Sequence, residues 1–118
     1  MASLSFGLYL VATPIGNLKD ITLRALDVLR QADIVACEDT RTSRTLFHHY
    51  GITPPQLMAY HDFSDDRQRQ KMIEAIQAGK AVALISDAGT PLIADPGYKL
   101  VQACHDHGLP VIPVPGPC

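Results

Sequence analysis

Residues 81–97 constrain this chain more than any other stretch. Ala81, Val82, Ala83, Leu84 and Ile85 form an unbroken apolar run of strand length, the pattern of a strand covered on both faces. Ser86, Asp87, Ala88, Gly89, Thr90 and Pro91 follow at once. They are small, polar or turn-forming, so the backbone can bend sharply there and offer N–H groups to a ligand. Asp95-Pro96-Gly97 then reads as a helix start, with the Asp95 carboxylate accepting from orphan N–H groups and Pro96 in the first helical position. Strand, small-residue loop and helix in this order predict a ligand site at the carboxyl edge of a parallel sheet.

The same alternation runs through the rest of the chain. Strands are predicted over 8–12, 34–37, 56–60 and 111–114 in addition to the 81–85 run. Between them, apolar residues recur at helical spacing. Ile21, Ala25, Val28, Leu29 and Ala32 follow Asp20 as a candidate N-cap, and Leu46, Phe47 and Tyr50 precede a stop at Gly51. Met72, Ile73 and Ile76 lie between Ser64-Asp65-Asp66 and Gly79, and Leu100, Val101 and Cys104 precede Gly108. Five strands alternating with four helices predict a single α/β domain, a mainly parallel five-stranded Rossmann-like sheet flanked by helices. Pro113 has no N–H to give to a ladder, which places the last strand at a sheet edge.

Composition narrows the function classes. A length of 118 residues with 47% hydrophobic and 19% charged residues suits one globular domain with its own core. A net charge of -2 argues against binding nucleic acid by field strength alone, so any RNA contact must be local. Cys37, Cys104 and Cys118 are odd in number and widely spaced, which fits a reducing compartment. The N-terminus lacks a signal-peptide pattern and the apolar runs are strand-sized, so a cytoplasmic protein without membrane contact is expected. His48-His49, His105 and His107 lack metal-ligand spacing, and no metal is expected. Pro115-Gly116-Pro117-Cys118 ends in turn residues with no closing element, the expectation for part of a longer protein.

In a parallel sheet the segments after the strands converge on one rim. Here they are residues 13–17, 38–41, 61–64, 86–91 and 115–117. None carries the G-x-G-x-x-G or G-x-x-x-x-G-K-[ST] pattern of phosphate-cradling loops, so a phosphate-poor nucleoside ligand is easier to accommodate. Glu38 or Asp39 could accept from ribose hydroxyls.

The motifs Val11-Ala12-Thr13-Pro14-Ile15-Gly16-Asn17-Leu18, Cys37-Glu38-Asp39-Thr40-Arg41, Ser86-Asp87-Ala88-Gly89-Thr90-Pro91, Asp95-Pro96-Gly97 and Val114-Pro115-Gly116-Pro117 together resemble the tetrapyrrole methylase superfamily of S-adenosylmethionine enzymes. Within it they resemble the ribosomal RNA small subunit methyltransferase I branch, which methylates a cytidine ribose 2'-hydroxyl in 16S rRNA. The corrin-modifying relatives have a glycine-richer first loop and a Gly-Asp-Pro element after the fourth strand, from which residues 13–18 and 86–91 depart.

The resemblance implies an N-terminal domain of a two-domain homodimeric enzyme, its C-terminal domain absent here, with S-adenosyl-L-methionine in the cleft between domains. It implies that the isolated fragment is inactive. It also implies cofactor contacts from Pro14, Gly16, Asp87, Ala88, Gly89 and Thr90, with Pro115 and Gly116 near the cleft. Small side chains there let a backbone approach the ligand closely. Methyl transfer to a hydroxyl needs a proton acceptor, for which Asp39, Glu38 and His61 are candidates, Asp39 first because Arg41 could hold a neighbouring phosphate. The plainer reading is that Glu38 and Asp39 cap the next helix and pair with Arg41 and Arg44. Arg41 and Arg44 are the local RNA candidates, while Arg67, Arg69 and Lys71 read as a solvated helix face. Two alternatives stand beside this reading: a corrin- or porphyrin-ring methyltransferase, and a non-catalytic nucleotide-binding or dimerisation module.

Overall fold

The computed structural model describes residues 4–13, 21–38, 40–53, 56–60, 66–87 and 97–114. They form β1 (Gly7–Thr13), α1 (Leu23–Gln31), β2 (Ile34–Cys37), α2 (Thr40–Tyr50), β3 (Leu57–Ala59), α3 (Asp66–Gln77), β4 (Ala81–Asp87), α4 (Gly97–Asp106) and β5 (Val111–Val114). The strands make one sheet in the order β3-β2-β4-β1-β5, and every pairing is parallel. The predicted alternation of five strands and four helices holds. So does the edge position of the strand that contains Pro113.

Period-two alternation sends successive strand residues to opposite layers. Tyr9, Val11, Val35, Ala81, Ala83 and Val114 join Ala25, Leu26, Val28 and Leu29 of α1 and Leu46 and Phe47 of α2 in one buried cluster. Leu8, Leu10, Ile34, Ala36, Met58, Val82 and Leu84 join Met72, Ile73 and Ile76 of α3 and Leu100 and Cys104 of α4 in the other. The 81–85 run is apolar because it feeds both layers: Ala81 to Leu84 are all buried.

Four boundaries depart from the sequence reading, the first being β1, which runs Gly7–Thr13 where 8–12 is predicted. Asp20 lies outside the described residues, and α1 is instead capped by Thr22, whose hydroxyl accepts from the Ala25 N–H at 3.1 Å. Thr22 holds the extended backbone an N-cap needs, φ -78° and ψ 155°. β4 continues through Ser86 and Asp87, because these pair with Ala12 and Thr13 and the ladder outweighs their turn propensity. β3 is shorter than 56–60. Gln56 and Tyr60 flank it and still bond to β2, through Val35 N–H to Gln56 O and Tyr60 N–H to Cys37 O. The helix stops at Gly51, Gly79 and Gly108 stand as read, each with positive φ.

Candidate functional site at the carboxyl rim

Because all the strands run one way, their carboxyl ends share a rim: Thr13, Cys37, Ala59, Asp87 and Val114. The register fixes its relief. Val11 pairs with both Ile85 and Val114, and Ala36 pairs with Leu84, so Cys37 and Val114 end level with Ile85. Thr13 and Asp87 pair with each other two residues further on, about 7 Å higher at ~3.3 Å per residue. Strands β1 and β4 therefore stand above their outer neighbours.

Their exits diverge. β1 leads through α1, in one buried layer, to β2; β4 leads through α4, in the opposite layer, to β5. Adjacent parallel strands whose connections leave to opposite sides define a topological switch point, where open α/β sheets form a ligand crevice. Thr13 and Asp87, the last described residues of β1 and β4, stand side by side there.

Of the residues named from sequence, the backbone of Asp87 closes β4 at this crevice. Pro14, Gly16, Ala88, Gly89, Thr90, Pro115 and Gly116 lie outside the described residues, as do Asp39 and His61. Glu38 is solvent-exposed one residue beyond β2, on the same rim, and makes no ion pair among the described residues. Arg41 and Arg44 are exposed on the first two turns of α2, which begins at that rim.

Two features escaped the sequence reading. Leu23, the first residue of α1, is 81% exposed and Tyr98, the second of α4, is 47% exposed. Each large apolar side chain therefore stands at the start of a helix that follows β1 or β4. The signal in sequence was their position off the buried helical face.

The second feature is a correction to the solvated-face reading of Arg67, Arg69 and Lys71. Arg67 and Lys71 are exposed, but the Arg69 side chain retains only 21% exposure and pairs with Asp66. A hydrogen bond to buried Tyr60, with a smaller contribution from Asp66, holds the Arg69 guanidinium above its usual pKa. The neighbouring Gln68 donates its Nε2 to the Ala59 carbonyl at 2.8 Å. The first turn of α3 thus fastens the carboxyl end of β3, immediately before His61 in the chain.

The described residues hold no group of three or more His, Cys, Asp or Glu that could bind a metal ion, and no helix among them is long and apolar enough to cross a membrane. Cys37 and Cys104 are buried; desolvation pushes the Cys104 thiol from 9.0 up to about 11.

Comparison with known proteins adds sequence kinship to this geometry. The profile of the tetrapyrrole (corrin/porphyrin) methylases matches residues 7–118. The chain belongs to this family. Among curated relatives it is 62% identical over 110 residues to the ribosomal RNA small subunit methyltransferase I of Mesorhizobium japonicum, an overlap of 93% of this chain and 37% of that protein. It is 52% identical over 118 residues to the protein of the same name from Pasteurella multocida, covering 100% of this chain and 42% of that one. The chain spans about two fifths of the length of these relatives.

Solved structures of the family share the fold. A cobalt precorrin-4 methyltransferase of cobalamin biosynthesis superposes with a TM-score of 0.75 at 22% identity, over 93% of this chain and 45% of that one. Uroporphyrin-III C-methyltransferase from Thermus thermophilus, complexed with S-adenosylhomocysteine, gives 0.67 at 23% identity, over 94% and 48%.

Proposed function

We propose that this chain is the N-terminal, cofactor-binding domain of a two-domain, homodimeric, cytoplasmic enzyme. The enzyme transfers a methyl group from S-adenosyl-L-methionine to a cytidine ribose 2'-hydroxyl in 16S rRNA of the small ribosomal subunit. The observation that carries the reading is the pairing of Thr13 with Asp87 at the switch point, the two residues from which the small-residue stretches of the sequence continue. The names of the relatives that match along the chain support rRNA as the substrate class.

The residues fit such a cofactor. In the chain Pro14 and Gly16 come after Thr13, Ala88, Gly89 and Thr90 come after Asp87, and Pro115 and Gly116 come after β5. When bound, S-adenosylmethionine supplies an electrophilic sulfonium methyl. The task of this chain is to hold a ribose hydroxyl in line with that methyl and to take the hydroxyl proton. Asp39 is the proposed proton acceptor, with Glu38 and His61 as the other candidates, and Arg41 and Arg44 hold RNA phosphates.

The test uses the full-length enzyme with labelled cofactor and either small ribosomal subunits or corrin precursors. Methylation of the rRNA ribose is expected, with Asp39→Ala binding the cofactor normally and turning over at least ~100-fold more slowly. Methylation of the corrin alone sinks the rRNA reading. An Asp39→Ala enzyme at full rate removes Asp39 from its role.

A further inference from the structure

Helix α2 carries no acidic residue between Thr40 and Tyr50, and its exposed residues Arg41, Arg44 and His48 fall at i, i+3 and i+7. They make one basic stripe about 10 Å long at ~1.5 Å per residue, leading away from the carboxyl rim. Arg44 and His48 make no ion pair among the described residues.

Beside the stripe lies a cleft of about 350 Å³ lined by Arg44, Phe47, His48, Ile52, Thr53 and Leu57. Its wall is apolar, through buried Phe47 and Ile52 and partly buried Leu57, and its rim is polar, through exposed Arg44, His48 and Thr53. β3 is the edge of the sheet, so no further strand of the described residues closes the cleft. The volume is that of a small-ligand site, and an apolar wall below cationic and hydrogen-bonding groups suits a planar base joined to an anionic backbone.

We propose that α2 and this cleft receive a single-stranded segment of the substrate RNA: phosphodiesters on Arg41 and Arg44, and one base in the cleft against Ile52 and Leu57. The inference rests on the rRNA reading and adds to it a base-accepting subsite away from the methyl-transfer crevice. Charge complementarity selects the occupant, because four of the eleven α2 residues are Arg or His and none is acidic.

The experiment titrates a labelled single-stranded fragment of small-subunit rRNA with the full-length protein over a series of salt concentrations. Arg44→Gln is expected to weaken binding roughly 3- to 10-fold at low salt and to reduce the slope of log K against log salt by about 1. Thr53→Trp, which fills the cleft, is expected to weaken binding roughly tenfold with little change in slope. Arg67→Gln, exposed on α3, changes neither. Wild-type methyl transfer to the small subunit is measured alongside: its failure overturns the rRNA reading itself. Intact transfer, with Arg44→Gln and Thr53→Trp matching wild type in affinity and slope, overturns the cleft proposal alone. Thr53→Trp that alters the oligomeric state while RNA affinity stays unchanged marks a protein interface, and overturns it as well.

Discussion

Asp33 does more for the sheet than its exposed position suggests. It precedes β2, and its backbone N–H donates to the Ala81 carbonyl at 2.8 Å while its Oδ2 accepts from the Ala81 N–H at 2.9 Å. A side chain thus completes the first rung between β2 and β4, where the backbone ladder begins one residue later with Ile34 and Val82. Asp33→Ala removes the acceptor and leaves the N–H of Ala81, a residue only 2% exposed, without a partner. A hydrogen bond to a charged group contributes about 1.5–3 kcal/mol, and losing one partner exposes the full desolvation penalty of the other. The carboxylate is partly hydrated, so the lower end applies, about 1–2 kcal/mol.

Asp33→Asn keeps an acceptor oxygen in the same place and is expected to lose less than ~1 kcal/mol, since the bond becomes neutral. Urea unfolding measures the stability of wild type and both variants, and native-state hydrogen exchange reads the Ala81 amide directly. Faster exchange at Ala81 in Asp33→Ala, restored in Asp33→Asn, is the expected pattern. Equal stability and unchanged Ala81 protection in Asp33→Ala would refute the reasoning.

Two further predictions concern the core. Gly7 has φ +147°, and a Cβ there would meet Ile112 Cδ1 at 2.9 Å and the Pro110 carbonyl oxygen at 3.1 Å, so Gly7→Ala should destabilise the chain by roughly 1–3 kcal/mol in a urea melt. A neutral result would place β1 and β5 further apart than described. Cys104, fully buried with its pKa pushed up to about 11, should resist alkylation at pH 8 until the chain unfolds. Because its folded pKa is raised, the protonated thiol favours the folded state below pH 9, and that contribution is lost as pH rises towards about 11. Rapid native-state labelling, or alkaline stability that Cys104→Ala leaves unaltered, would contradict this.

Much of this architecture was legible locally. Apolar runs over 34–37 and 81–85 read as buried strands, and helical spacing picked out Leu46, Phe47, Met72, Ile73, Ile76, Leu100 and Cys104, all of them buried. What sequence could not supply was non-local. The order β3-β2-β4-β1-β5 follows from which distant strands pair, and the switch point follows from that order. Asp20 and Thr22 are both acceptable caps by residue type, and the backbone geometry at Thr22 makes the choice. Ser86 and Asp87 look like a turn until Ala12 and Thr13 pair with them. Arg69 looks like solvent-facing charge until Tyr60, just beyond β3, comes beside it. Of the candidate site, the sequence offered only stretches expected after the strands, and the side-by-side placing of Thr13 and Asp87 depends on register.

The strand order also bears on synthesis. β1 is made first, yet both of its neighbours, β4 and β5, come from the last third of the chain. A nascent polypeptide that has emerged only as far as β3 can join β2 to β3 but leaves the first strand without a partner, its backbone donors and acceptors open to water. Ordering must wait until β4 inserts between β2 and β1, a step that closes a loop of more than sixty residues and so favours late, concerted assembly over growth from the amino end.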